Sequence, residues 1–543
     1  MADQTLDPYS GWSRRKLIDR IRALEKENNL GPSAASTSST PPLSETLNTT
    51  QEVSSNPENE FDFSKHSRRK IALKFCYSGW EYCGLAYQLG PTPLPTVENV
   101  LFDVLAQTRL VDKEAGFEGC GWEKCGRTDR GVSAAGQVVS LWVRSRLFSG
   151  EEEEVTKEEE STVEVKAEEE DDDLLNLDDD FQNLSFGYEP SSANTSVKKK
   201  PKSEEREHDY VYMINRLLPP TIRVIAWSPV SPTFSARFSC KYRHYKYFFS
   251  SHNLDIPAMQ AAAARLVGEH DFRNLCKLDV QKQITSFQRT ILRASVEPID
   301  AAAAKEDDTS GRMYVFDLLG SAFLYHQVRH IVAVLFLIGS GLEPVSMITE
   351  LMNVREGAEP LHPDDAAAGK TSYAVMDRKP EYQMADALPL MLWDCAYDES
   401  ELDWRISNAP PDGVGEAEET IDAGLRANLV NQLQSIHNRS RVYTALDQHF
   451  LRAAQKFHPS PPPVLPLKNG LEEFEKAKRS GGGATRHLNI PVGGGTFLRK
   501  GKYVSLEKRK RLDPVEVANE RWRLKEEARK GGPIKIVEDD GEE

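Results

Sequence analysis

From Glu151 to Asp180 the chain holds seventeen acidic residues against two basic ones. At that density carboxylates repel one another and stay in water, so the stretch cannot join a packed core. Any domain that spans it must be assembled from two pieces of sequence. The interruption covers residues 148–207, acidic first, then Ser-rich, then basic around Lys198–Lys202. Its composition predicts disorder and a solvated spacer. Two sharper readings stay open beside that one: an RNA mimic that competes for a basic cleft, and a docking segment for a partner protein built on Leu174, Leu175, Leu177 and Phe181.

The same stretch explains the charge. Of a net −16 over 543 residues, −15 falls between Glu151 and Asp180. The nearly neutral remainder permits a basic groove for phosphates. With 39% apolar residues the chain can bury a sizeable core, and its length suits several domains of about 100–200 residues each. The longest apolar run, Ile331–Ile338, falls well short of the roughly 20 residues a bilayer crossing needs. No charged-then-apolar leader opens the sequence. Seven scattered cysteines point to reduced thiols rather than a disulfide framework, and Cys120 and Cys125 lack zinc-site spacing. These features predict a soluble protein that is not secreted.

Read in order, Trp12–Asn29 carries Leu17, Ile21 and Leu24 at helical spacing, a short amphipathic helix or a solvated arm. Residues 32–60 are rich in Ser, Thr, Pro and Asn and read as a linker. Ile71, Leu73, Phe75 and Tyr77 alternate as in a half-buried strand. Val97, Val100, Leu101, Val104 and Leu105 share one helical face behind a Thr96 cap. Gln137–Val143 reads as the next strand, which places the preceding turn just outside a sheet edge. After the interruption, Asp209–Leu218 and Pro257–Gly268 read as helices, and Ile222–Pro229, Tyr242–Phe249, Thr290–Glu297 and Met313–Leu319 as strands. Phe323–Gly339 reads as a long apolar helix, and Leu388–Trp393 is a final apolar run. Past Glu401 come a helix at Leu425, Leu429, Leu433 and Ile436, glycine loops at Gly481–Gly483 and Gly493–Gly495, and a last helix after Pro514. Five parts follow: 1–64 as an arm and linker, 65–147 and 208–400 as two pieces of one domain around the 148–207 insertion, and 401–543 as an extension.

The most specific chemistry sits in the turn Gly126–Ala134, where Asp129 lies among Arg127, Arg130, Gly126 and Gly131. Arg127 and Arg130 can each form a charge-assisted bond to Asp129, favouring its charged form. The glycines allow positive φ or close approach of the backbone to a ligand. Taken alone, such a string is most often a surface ion pair on an exposed turn.

Three further stretches in the right order change that reading. Phe234–Tyr245, Ala322–His330 and Leu388–Cys395 together with the Asp129 turn resemble the motifs of the TruA-type tRNA pseudouridine synthases. The resemblance covers roughly residues 65–150 and 205–400. It implies an α+β fold of two ferredoxin-like, RRM-like halves, with antiparallel mixed sheets, helices on one face and the catalytic cleft between them. It implies that Asp129 is the nucleophile, that Arg329 pairs with it, that Tyr245 contacts the uracil, and that Arg127 fills the space left by a flipped base. Arg130, Phe323 and Leu324 complete the expected substrate contacts. It also implies tRNA as partner, a homodimer in many members, no cofactor, and work in the nucleus and cytoplasm. Ser133, His330, the N-terminal helix and Leu388–Cys395 resemble the eukaryotic branch that acts on tRNA positions 38 and 39.

Rival readings follow from single residues. His326 and His330 imitate a zinc pair at i, i+4, but Gln327 stands where the general base would be Glu, so no metal is expected. Hydrolytic base removal usually needs two flanking carboxyls, and the turn supplies one. A noncatalytic tRNA-binding or folding protein would not need Asp129, Tyr245 and Arg329 together. The Lys508–Arg511 cluster reads as a nuclear address, an RNA contact or a solvated patch.

Overall fold

Strand β1, Arg68–Tyr77, buries Ile71, Leu73 and Phe75 as the alternation predicts, and Ala72 between them is buried too. Both faces are therefore covered, which suits a strand in the interior of a sheet. The computed structural model describes residues 61–147, 207–299, 312–406, 416–458, Lys476 and 488–530. The Trp12–Asn29 helix, the 32–60 linker, the insertion up to residue 206 and the Gly481–Gly483 loop lie outside the described residues.

Helix α1, Val97–Gln107, follows β1, and the Thr96 side chain accepts from Asn99 N at its start. Then come β2 (Glu123–Lys124), β3 (Ser133–Arg144), helix α2 (Tyr210–Leu217, capped by Asp209), β4 (Ile222–Pro229) and β5 (Tyr242–Ser250). Helix α3 spans Ile256–Ala264, β6 Gly268–Asp271, β7 Gln288–Pro298 and β8 Met313–Gly320. Helix α4 spans Gln327–Gly339, α5 Met347–Met352 and β9 Leu390–Ala396. A long helix α6, Glu416–Gln455, a hairpin of β10 (Leu488–Gly493) and β11 (Thr496–Lys500), and helix α7, Val515–Lys530, complete the described chain.

The fold is α+β. Among the described residues nine strands join in one sheet of order β4-β1-β3-β9-β5-β8-β7-β6, with β2 added to β3, and β10 pairs only with β11. Every pairing is antiparallel except β3 with β9, a parallel joint of two residue pairs, Ser133 with Met391 and Ala134 with Leu392. Two apolar cores flank that joint. One packs α1 and α2 on β1, β3 and β4; the other packs α3, α4 and α5 on β5, β7 and β8. Val334, Leu335, Phe336 and Ile338 of α4 are buried there, each contributing about 1.5–3 kcal/mol on burial. No helix among the described residues is long and apolar enough to cross a membrane.

The flanks of the insertion are clamped. Glu207 accepts hydrogen bonds from Ser145 Oγ at 2.6 Å, Arg146 N at 3.0 Å and Arg69 Nη1 at 2.9 Å. The two sequence pieces thus meet at one buried carboxylate, where β3 ends and α2 is about to begin.

Several boundaries differ from expectation. Helix α4 begins at Gln327 rather than Phe323, because His326 takes a left-handed conformation with φ 60° and breaks the helical path. Helix α3 stops at Ala264 so that Gly268, at φ +123°, can open β6. The Asp129 turn sits at the end of a central strand, β3, not beside an edge strand. The C-terminal region is also less separate than expected. Leu488, Ile490, Tyr503 and Leu506 are buried in the second core, and Glu343 accepts from Tyr503 Oη and Leu506 N, each at 2.6 Å.

Candidate active site

The turn before β3 is held on several sides. Val132 N donates to Asp129 O at 3.1 Å and Gln137 Nε2 to Gly126 O at 2.9 Å. Thr128 is buried; its hydroxyl lies 2.6 Å from Tyr77 Oη, and its carbonyl accepts from Leu85 N at 3.2 Å. Gly131 has φ +86°, a conformation that favours glycine. Gly79 N donates to Ser133 Oγ, and a Cβ on Gly79 would come within 1.9 Å of Val132 O. The backbone under Asp129 is therefore fixed, while its side chain stays 26% exposed.

The partners of Asp129 come from the other half of the sequence. Arg329 Nη1 donates to Asp129 Oδ2 at 3.4 Å, and His326 Nε2 lies 3.1 Å from the same oxygen. Arg329 is itself fixed: its Nε donates to Ala385 O at 2.9 Å, and Ala385 N donates to Arg329 O at 3.1 Å. The segment after Ala385 is tied to the C-terminal hairpin through Asp386 N, which donates to Val492 O at 2.6 Å. Tyr247 Oη, beneath them, donates to Asp386 O at 3.1 Å.

Arg127 and Arg130 are exposed, and neither makes an ion pair or hydrogen bond with Asp129. The guanidinium that reaches the carboxylate is that of Arg329, from the other half of the sequence. Tyr245, on β5, pairs in register with Leu392 and Leu318 and meets Phe323 edge-to-face at 5.0 Å between centroids. Burial pushes its phenol well up, and the Asp129 charge adds to that. A phenol so placed stays neutral and offers a hydrogen-bond donor. Leu324 is only 6% exposed and belongs to the second core, so it packs rather than presents a surface.

In the sequence His326 reads only as half of a metal pair with His330. The structure turns the two apart. His330 lies against Lys379 Nζ, 3.0 Å from its Nε2, and burial together with that cation holds its imidazole down to about 2. Among the described residues no group of three or more His, Cys, Asp and Glu is placed to hold a metal ion. The signal for His326 was present in the sequence as an i, i+3 relation to Arg329, which puts both residues at one end of α4.

The sequence model of the tRNA pseudouridine synthase family matches residues 262–398. The tRNA pseudouridine(38/39) synthase of Saccharomyces cerevisiae is 33% identical over 522 residues, covering 95% of this chain and 92% of the yeast protein. The chain belongs to the TruA-type tRNA pseudouridine synthase family. The human tRNA pseudouridine(38/39) synthase is 37% identical over 421 residues, 77% of this chain and 71% of its own length. A tRNA pseudouridine synthase A from Methanothrix thermoacetophila is 30% identical over 286 residues, 52% of this chain and 75% of its own. The part of this family member matched by the family model includes His326, Arg329 and the Ala385 segment that braces Arg329.

Proposed function

We propose that this chain converts uridine to pseudouridine in the anticodon stem-loop of tRNA, at positions 38 and 39. The observation that carries the reading is a partly exposed carboxylate, Asp129, paired by Arg329 at the joint of the two half-sheets. The reaction breaks the bond from ribose C1′ to uracil N1, turns the base and joins C1′ to C5. The proton on C5 leaves and N1 gains one, with no change of oxidation state. One anionic nucleophile suffices for that sequence.

In this reading Asp129 attacks C1′ of the ribose or C6 of the uracil, and Arg329 and His326 keep its oxygen aimed. The target must first leave its stack, at a cost of a few kcal/mol. Arg127, exposed on the turn, fills the vacated place, and Arg130 lies beside it on the same exposed rim. Tyr245 and Phe323 form an aromatic wall for the uracil, with the Tyr245 hydroxyl near the C5 proton. The two cores correspond to the ferredoxin-like halves of the family, and the nucleotide enters the cleft between them. Nuclear and cytoplasmic work, a homodimer and a partner or RNA-competing role for the acidic insertion belong to the same reading.

Tritium release from tRNA labelled at uridine C5 tests it. Wild-type chain releases label and Asp129→Ala does not, while mapping of the product finds pseudouridine at positions 38 and 39. Release that persists in Asp129→Ala removes Asp129 as nucleophile. Modification elsewhere in the tRNA removes the positional assignment but leaves the reaction.

A further inference from the structure

Between Thr496 and Leu512 stand seven cations, Arg499, Lys500, Lys502, Lys508, Arg509, Lys510 and Arg511, against one acid, Glu507. The run is held in shape. Arg509 lies over the Tyr503 ring at 5.0 Å and its Nε donates to Val504 O at 2.8 Å, which folds the second part of the run back on the first. Glu381 N donates to Lys510 O at 3.0 Å and Leu512 N to Lys379 O at 2.8 Å, so the end of the run lies along residues 379–381. The remaining cations stay free of such ties: Arg499, Lys500, Lys502, Lys508 and Lys510 are exposed and form no ion pair among the described residues. On β11 the alternation turns Leu498 toward the second core and leaves Phe497, 59% exposed, on the outer face with Arg499.

Fixed cations beside an exposed ring match a nucleic-acid strand, whose phosphates meet the charges while a base or ribose lies on the aromatic face. A nuclear address fits less well. It would need the basic run to leave the fold as a free peptide, and Arg509 and Arg511 are folded onto Val504, Glu381 and Glu507. The patch also connects to the candidate site. Its hairpin accepts from Asp386 N at Val492 O, next to the Ala385 carbonyl that holds Arg329. It lies beyond the 262–398 span of the family model.

We propose that β11 and the loop from Gly501 to Leu512 form a second RNA contact, gripping the phosphate backbone of the tRNA away from the flipped nucleotide. The proposal rests on the reading that tRNA is the substrate, and it adds where the chain holds the rest of that molecule. Phe497 supplies the stacking face, and Arg499, Lys500, Lys502, Lys508 and Lys510 supply the charge. Because the hairpin is already packed on the second core, little ordering is needed when RNA binds.

Binding of unmodified tRNA transcript to the full chain, measured over a salt series, tests the contact. Each phosphate contact adds about 0.7–0.9 to the slope of log affinity against log salt. Arg499→Ala/Lys500→Ala/Lys502→Ala is expected to bind about tenfold more weakly, with a slope shallower by about two, its thermal unfolding midpoint kept and its loss in tritium release falling on KM. Phe497→Ala is expected to weaken binding by about fivefold or more at an unchanged slope. A triple variant that binds like wild type overturns the proposal. So does an equal loss in Lys65→Ala/Lys113→Ala, two exposed cations of the first half, since that would mark a diffuse field. If Lys508→Ala/Lys510→Ala abolishes nuclear accumulation but binds tRNA like wild type, the cluster is an address and that half of the contact is overturned. Wild-type chain that binds tRNA with the steep slope but releases no tritium removes the proposed reaction and keeps the contact.

Discussion

Arg329 Nη1 lies 3.4 Å from Asp129 Oδ2 although the two residues stand 200 positions apart. The pair crosses the parallel joint between β3 and β9, and each member is braced by its own half. Replacing Arg329 by Ala leaves the turn intact but removes the charge that meets the carboxylate. The expected result is a fall in kcat of about 10²–10³-fold, comparable to loss of one preorganised donor, with KM for tRNA changed little. Single-turnover kinetics check it. Arg329→Lys recovers only part of the rate, because an ammonium cannot serve both Asp129 and Ala385 O as the planar guanidinium does.

His326 is the second group on Asp129 Oδ2. Asn tolerates the left-handed backbone that His326 adopts, so His326→Asn keeps the entry to α4 while its amide falls short of the carboxylate. A loss of about tenfold in kcat is expected, on the scale of one hydrogen bond at about 1 ± 0.5 kcal/mol. Unchanged turnover under single-turnover conditions would show that the imidazole does not help aim Asp129.

Gly493 opens the turn of the β10–β11 hairpin at φ +91°, and a Cβ there would come within 2.0 Å of Tyr247 Oη. Gly493→Ala should destabilise the chain by about 1–3 kcal/mol, the cost of a strained backbone, seen as a lower midpoint in thermal unfolding. Its effect should reach the chemistry through Val492, Asp386 and Ala385, lowering kcat at temperatures where the variant is still folded. Tyr247→Phe, which removes only the hydroxyl, should cost less on both readouts.

Acid should destabilise both halves of the fold early. Burial and Lys379 hold His330 down to about 2 from an ordinary 6.5, and burial with nearby arginines holds His208 down to about 4. The unfolded chain binds the extra protons, so stability is complete above about pH 6.5 and falls as pH drops toward those values. Thermal midpoints measured from pH 7.5 to pH 4.5 should fall, and His330→Asn should flatten that slope relative to its own value at pH 7.5. An equal slope in both proteins would exclude His330 as a source.

Elements built on local pattern were legible in the sequence. Thr96 caps the helix it was expected to cap, Pro219 and Pro220 follow the end of α2, and Ile222–Pro229 is a strand over its expected length. The start of α4 was not legible, since the left-handed turn at His326 is imposed by its surroundings and carries no glycine to announce it. The pairing of Arg329 with Asp129 was expected from the family resemblance and is present, but residue spacing by itself did not point to it. Sequence adjacency favoured Arg127 and Arg130, and only the pairing of β3 with β9 brings α4 to the turn. The packing of Leu488–Leu506 into the second core was hidden for the same reason: its partners, Glu343 and Asp386, lie more than a hundred residues upstream.

The Glu207 clamp fixes the points where the highly charged segment leaves and rejoins the fold. Because Ser145, Arg146 and Arg69 hold its return point against its departure point, lengthening the excursion costs only loop-closure entropy, about 0.6 kcal/mol for each doubling. A fluorescent or affinity module spliced between those anchors should leave the surrounding strands zipped.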